Sequence, residues 1–132
     1  MIHEFKVRVF YEDTDMAGIV YYANYLKYIE RARSTMVREA GISQGQMKAE
    51  GLVFAVYKIE ATYHKPAILD DALTIATRSQ HLSAAKMLFL QDVKRDDQTL
   101  FSSKVTVICM TTAGRPVRLP AEFRAKMGLF DG

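Results

Sequence analysis

The stretch Tyr11–Arg33, YEDTDMAGIVYYANYLKYIERAR, places two carboxylates, Asp13 and Asp15, just ahead of an Ala-Gly turn and a tyrosine-rich run. An acid there can do chemistry if something beside it stabilises developing negative charge. The residues after Gly18 can supply that. A helix is expected to start near Tyr22, and the first four N–H groups of a helix lack intrahelical acceptors and sit at the positive end of its dipole. A carbonyl oxygen held against them is polarised. Asp15 stands seven residues before Tyr22 and can approach the same carbonyl carbon if the turn folds back. Gly18 permits that fold, because glycine accepts positive φ and lets another group approach its backbone.

Such an arrangement is a minimal acyl-transfer site: amides that hold an oxyanion, and one carboxylate that attacks or activates water. A lone carboxylate suffices only against an activated acyl group. A thioester qualifies, since its carbonyl is more electrophilic than an amide's and its thiolate leaves readily. Tyr22 can offer a phenol hydrogen bond or an aromatic wall for the acyl group, and it can equally be a helix-packing residue. The bland role for Asp15 is a turn or N-cap residue that bonds local amides, and Asp13 competes with it for both roles.

Those residues need elements to position them. Phe5, Val7, Val9 and Tyr11 alternate with Lys6, Arg8 and Phe10, the period-two pattern of a strand with one buried face, ending near Asp13. From Tyr22 the period lengthens: Tyr25, Ile29, Ala32, Met36 and Ala40 recur every three to four residues. This predicts an amphipathic helix of about five turns, with Gly41 as a left-handed C-terminal cap. Ser43 and Gln46 predict a capping box for a short second helix ending near Gly51. A strand follows, with Val53, Ala55, Tyr57, Ile59, Ala61 and Tyr63 on one face and Phe54, Val56, Lys58, Glu60 and Thr62 on the other. Pro66 ends that run, since it cannot donate to a sheet ladder. Leu73–His81, Lys86–Lys94 and Thr99–Thr111 predict three more strands, with a hairpin turn at Asp96-Asp97-Gln98. Gly114 and Pro116 end the sheet, and Pro120–Met127 predicts a terminal helix with Pro120 in its first turn.

The fold class is therefore α+β: a five-stranded antiparallel sheet packed on or around one long central helix. An open antiparallel sheet leaves edges that proteins usually cover or pair, so edge-to-edge dimerisation is expected.

The chain of 132 residues shows no repeat, linker or composition shift and reads as one domain, 1–132. No apolar run approaches the roughly 20 residues of a membrane span, and the alternating start does not resemble a secretory signal. A single cysteine, Cys109, excludes an intramolecular disulfide framework and suits a reducing, cytoplasmic setting. Eighteen Lys and Arg face fifteen Asp and Glu, for a net charge of +3. There is no basic stripe of the kind that binds nucleic acid, although a mild positive potential suits an anionic ligand such as a nucleotide phosphate.

With these residues in view, YEDTDMAGIVYYANYLKYIERAR resembles the signature of the 4-hydroxybenzoyl-CoA thioesterase family of hotdog-fold proteins. It is most similar to the acyl-CoA thioesterases associated with the bacterial Tol–Pal system. The similarity continues through EGLVFAVYKIEATYHKPAILDDALTI and through GRPVRLP near the end, and covers nearly the whole chain in order. The resemblance implies a hotdog fold, with the sheet wrapped around the long helix. It also implies dimers with a continuous sheet, often paired into tetramers, and active sites at the subunit interface. It implies hydrolysis of acyl-CoA to a carboxylic acid and free CoA, with no cofactor, because CoA is part of the substrate. The catalytic aspartate of the family falls on Asp15, the acid of the Thr-Asp-x-x-Gly-x-Val pattern. The oxyanion-binding backbone falls on the stretch from Gly18 to the helix start near Tyr22. The Tol–Pal branch often carries histidine at the position of Tyr22; this chain has Val-Tyr-Tyr, as the hydroxybenzoyl branch does. Another function class is a non-catalytic module that holds an acyl thioester or an acyl carrier protein for envelope partners. Hotdog dehydratases resemble a pattern with histidine in the catalytic stretch, and Tyr11–Arg33 contains none.

The other reactive side chains read as structural. His3, His64 and His81 share no helix face and have no thiolate partner at metal-ligand spacing, so no metal site is expected. Cys109 lies in an apolar run and is expected to be a buried thiol. Glu30 is expected to pair with Arg33 or to make a structural helix contact. Lys65, Arg78, Lys86, Arg115 and Arg118 could meet CoA phosphates but read individually as solvated residues.

Overall fold

The structure, a computed structural model, describes residues 1–131. Its strands are β1 (His3–Arg8), β2 (Leu52–Tyr63), β3 (Ala72–His81), β4 (Lys86–Arg95) and β5 (Gln98–Thr111). They form one antiparallel sheet in the order β1-β3-β4-β5-β2, so β1 and β2 are its outer strands. The helices are α1 (Asn24–Glu39), α2 (Gln44–Ala49) and α3 (Ala121–Met127).

Helix α1 forms because Tyr25, Tyr28, Ile29, Ala32, Met36 and Val37 make one apolar stripe, and all are buried. The stripe lies against β1, β3 and β4, where Leu73, Ile75, Phe89 and Val93 are also buried. Full burial of a side chain such as Ile29 or Met36 contributes roughly 1.5–3 kcal/mol. At 16 residues, α1 is shorter than the expected five turns, because it begins at Asn24 and not at Tyr22. It ends as expected. Gly41 adopts φ +87°, its amide donates to the Arg38 carbonyl at 2.9 Å, and the Ile42 amide reaches the Val37 carbonyl at 3.2 Å. These are the paired bonds of a Schellman cap. Ser43 caps α2 by accepting from the Gln46 amide at 3.1 Å.

Two expectations about strands fail for local reasons. The first strand stops at Arg8, and Tyr11 is 83% exposed. The Asp13 carboxylate accepts from the Phe10 amide at 2.8 Å, which turns Tyr11–Asp13 into a 3-10 turn before the alternation can continue. In β2 the pairing slips between Val56 and Lys58, opposite Val107 and Thr106, so Tyr57 is an extra, bulged residue. A one-residue bulge reverses which side chains face the core. Phe54 and Val56 therefore join Ile59, Ala61 and Tyr63 on the inner face, opposite buried Cys109, Val107, Val105, Ser103 and Phe101. The constant alternation read from the sequence splits these residues wrongly.

Candidate active site

Residues Thr14–Val20 form a small loop between β1 and α1. Thr14 and Val20 bridge each other, the Asp15 amide donates to the Ile19 carbonyl at 2.9 Å, and the Gly18 amide donates to the Asp15 carbonyl at 2.9 Å. Gly18 takes φ +81°, so the turn uses the conformation that glycine alone adopts without strain. Its own amide is engaged inside the turn; what Gly18 supplies is shape.

The loop is docked from outside. The Val20 amide donates to the Ala67 carbonyl at 2.9 Å, and Ile19 bridges Ile68. The segment carrying Ala67 is itself held: its amide donates to the Tyr25 hydroxyl at 3.1 Å. Asp71 accepts from Ile68 at 2.9 Å and pairs with Arg95 at 2.7 Å. This clamp escaped the sequence reading because its members come from the Pro66–Asp71 connection, the end of β4 and α1.

The two aspartates do different things. Asp13 is occupied, its carboxylate by the Phe10 amide at 2.8 Å, and its carbonyl by the Tyr21 amide and the Asn24 side chain, both at 2.9 Å. Asp15 is half-buried, and its Oδ1 accepts from the Ala17 amide at 2.9 Å. That bond aims the carboxylate, while Oδ2 makes no hydrogen bond among the described residues. Neither aspartate caps α1. The N-cap residue is Ala23, which has no side chain to offer.

The head of α1 is therefore open. Asn24 donates to the Tyr21 carbonyl at 2.8 Å, but the amides of Tyr22 and Ala23 donate to no acceptor among the described residues. Around this head stand Tyr21, Tyr22, Tyr25 and Tyr63, whose rings meet mostly edge to face. The Tyr22 phenol beside it pushes the Tyr21 hydroxyl pKa up, and the Asp15 carboxylate adds a smaller push in the same direction. Asp15 thus lies within electrostatic reach of the Tyr21 ring, in the loop that leads into α1. Chemically, this can hold a carbonyl oxygen against backbone amides with a carboxylate nearby.

A sequence model of the thioesterase-like superfamily matches residues 9–127. The chain belongs to that superfamily. It is 36% identical over 129 residues to the acyl-CoA thioester hydrolase YbgC of Escherichia coli O6:H1, covering 93% of this chain and 96% of that one. It is 37% identical to the acyl-CoA thioesterase YbgC of Haemophilus influenzae over 92% of this chain and 90% of the relative. A probable thioesterase from Bartonella henselae superposes with a TM-score of 0.85 at 35% identity, covering 91% of this chain and all of that one. The fold alone is shared with a 1,4-dihydroxy-2-naphthoyl-CoA thioesterase from Synechocystis, with a TM-score of 0.91, 17% identity, and 97% and 96% coverage. The fold is thus the hotdog fold of thioesterases, as the resemblance implied.

For this superfamily member, the remaining candidates resolve as follows. Glu30 accepts from Ser34 at 2.9 Å, and Arg33 donates to Gln91 at 2.9 Å while staying within electrostatic reach of Glu30 without an ion-pair contact. Of the two roles open to Glu30, the structural helix contact is the one formed. Cys109 is fully buried, and burial pushes its thiol pKa up. His64 sits just after β2 with its ring bonded to Ser102. Lys86 covers the Tyr57 ring at 4.0 Å. Among the described residues, no three His, Cys, Asp or Glu side chains gather around a metal-sized point, and no helix is long and apolar enough to cross a membrane. A cleft of 310 Å³ runs between α1 and β2 past Glu30, Arg33, Val37, Phe54 and Val56. Asp15 does not line it.

Proposed function

We propose that this chain hydrolyses acyl-CoA thioesters to a carboxylic acid and free CoA, with Asp15 as its catalytic carboxylate. Its superfamily membership and the names of its YbgC relatives support the reaction class. One observation of this chain carries the proposal: half-buried Asp15 sits in the short loop that leads into α1, and the first amides of that helix have no cap. The amides of Tyr22 and Ala23 receive the thioester oxygen. The Asp15 carboxylate attacks the carbonyl carbon, or takes a proton from the water that does. Either way negative charge gathers on that oxygen, the C–S bond breaks, and the thiolate departs. After direct attack, water then hydrolyses the anhydride formed with Asp15, which frees the acid and restores the carboxylate. A donor aimed at such an oxyanion contributes roughly 10²–10³-fold to kcat. Gly18 shapes the turn and Tyr22 walls the acyl group; CoA enters as substrate, so the reaction asks for no cofactor.

A second copy of the chain completes the site. β2 is an outer strand whose inner-face residues Val56, Ile59 and Tyr63 are 53%, 42% and 46% exposed, and Leu26 on α1 is 40% exposed. Pairing β2 with its counterpart would satisfy the strand's free backbone groups and cover these apolar side chains. The dimer is the unit proposed, with pairing into tetramers as a further step.

Release of free thiol from a panel of aromatic and aliphatic acyl-CoAs tests the reaction. Turnover that disappears in Asp15→Ala is the expected result. Equal inactivity of the wild type and Asp15→Ala on every substrate sinks it, and saturable binding of acyl-CoA without turnover points instead to a scaffold for acyl thioesters or an acyl carrier protein.

A further inference from the structure

We propose that Tyr63, at the far end of β2, is a positioning residue that sets the oxyanion-binding amides at the head of α1. Its hydroxyl donates to the Tyr22 carbonyl at 2.9 Å, across a gap of 41 positions in the chain. A trans peptide is planar, so the direction of its carbonyl fixes the opposite direction of its N–H. The Ala23 amide belongs to the same peptide unit as the Tyr22 carbonyl. Tyr63 therefore aims the Ala23 N–H, and by bonding the carbonyl it also polarises that N–H. The preceding unit is held in the same way: the Tyr21 carbonyl accepts from the Asn24 amide at 2.8 Å, which aims the Tyr22 N–H. Both open amides are thus held from behind, one by the helix's own backbone and one by a phenol from another element.

The phenol is itself well placed to do this. Its ring packs edge to face against Tyr25 at 5.5 Å and Phe101 at 5.0 Å, so the hydroxyl has a fixed origin. Burial, and then the neighbouring phenols of Tyr22 and Tyr25, push its pKa up, which keeps the donor proton in place. Without that bond no group among the described residues holds the Tyr22 carbonyl, and the Tyr22–Ala23 peptide is free to rock. The proposal rests on thioester hydrolysis at Asp15, and it adds a residue outside the Thr-Asp-x-x-Gly-x-Val pattern.

Tyr63→Phe removes the bond and keeps the ring. Steady-state thiol release should show kcat down roughly 10-fold, less than the full loss of an oxyanion donor, with KM unchanged. The melting temperature should stay close to that of the wild type, and Tyr63→Leu should lose both activity and stability. A Tyr63→Phe enzyme with wild-type kcat overturns the proposal, as does one whose loss lies in KM together with a lowered melting temperature. Asp15→Asn, assayed alongside, separates the two ideas. If the wild type turns over, Asp15→Asn does not, and Tyr63→Phe matches the wild type, then hydrolysis stands and the Tyr63 role falls. If the wild type is inactive on every acyl-CoA, both fall together.

Discussion

Tyr21 donates its amide to the carbonyl oxygen of Asp13 at 2.9 Å, and the Asn24 side chain donates to the same oxygen at the same distance. This oxygen ties the end of the first turn to the first residue of α1, bringing the Asp15 loop and the open amides together. Asn24→Ala keeps the backbone bond and removes the other. It should cost about 1 kcal/mol of stability. It should also lower kcat several-fold, because a looser junction holds the reacting groups less well. Urea unfolding and steady-state kinetics on one preparation check the pair of effects.

Asp13 and Asp15 should separate cleanly under substitution. Asp15→Asn keeps an oxygen for the Ala17 amide and loses the negative charge, so the fold should survive while kcat falls by roughly 10³-fold or more. Asp13→Ala loses the acceptor for the Phe10 amide and should destabilise by about 1 kcal/mol, with turnover retained. Thiol release and thermal melts distinguish the two outcomes. The reverse pattern would exchange the roles assigned to these acids.

Tyr28 carries a buried hydroxyl that lies close to the Asp13 carboxylate without a well-formed hydrogen bond among the described residues. Burial first, and then the nearby Asp13 carboxylate, raise its pKa above the ordinary tyrosine value. The folded chain therefore keeps this phenolic proton at a pH where the unfolded chain, titrating near 10, has lost it. Stability is full below about pH 10 and falls as the pH rises beyond it. Tyr28→Phe should change stability by less than about 1 kcal/mol at neutral pH, since it deletes a buried polar group together with its attraction to Asp13. It should also lose less stability between pH 9 and 11. Chemical denaturation across that range measures both.

Gln91 is fully buried in the middle of β4, donating to the Ile29 carbonyl at 2.8 Å and the Thr77 hydroxyl at 3.1 Å, and accepting from Arg33 at 2.9 Å. Burial pushes the Arg33 guanidinium pKa down, a sign that its charge depends on neighbours in place of water. Gln91→Leu leaves that guanidinium without its acceptor. The loss should be roughly 2–4 kcal/mol. Double substitution with Arg33→Met should recover part of it, read from a double-mutant cycle in denaturant.

The elements themselves were largely legible in the chain. The α1 stripe, the Gly41 cap, the Ser43 cap and the limits of β3, β4 and β5 follow from local periodicity and turn chemistry, and the structure has them within a residue or two. What misled were sites where one hydrogen bond or one extra residue overrides a pattern. The Asp13–Phe10 bond cut β1 short, and the bulge at Tyr57 turned half of β2 over. Neither leaves a mark in hydrophobic alternation. The candidate site divides in the same way. Asp15, Gly18 and Tyr22 stand close enough in sequence for spacing to suggest them, whereas Tyr63 and the Arg95–Asp71 clamp come from strand ends and a connection far away in the chain.

The sequence by itself determined an acid, a glycine turn and a helix start in one short run, because bonds between near neighbours depend on which residues lie a few positions apart. Tertiary structure alone decided that the head of α1 stays uncapped and that the Tyr22 carbonyl is held from β2. Those relations depend on where the sheet brings the ends of distant strands, and chain spacing carries no record of that.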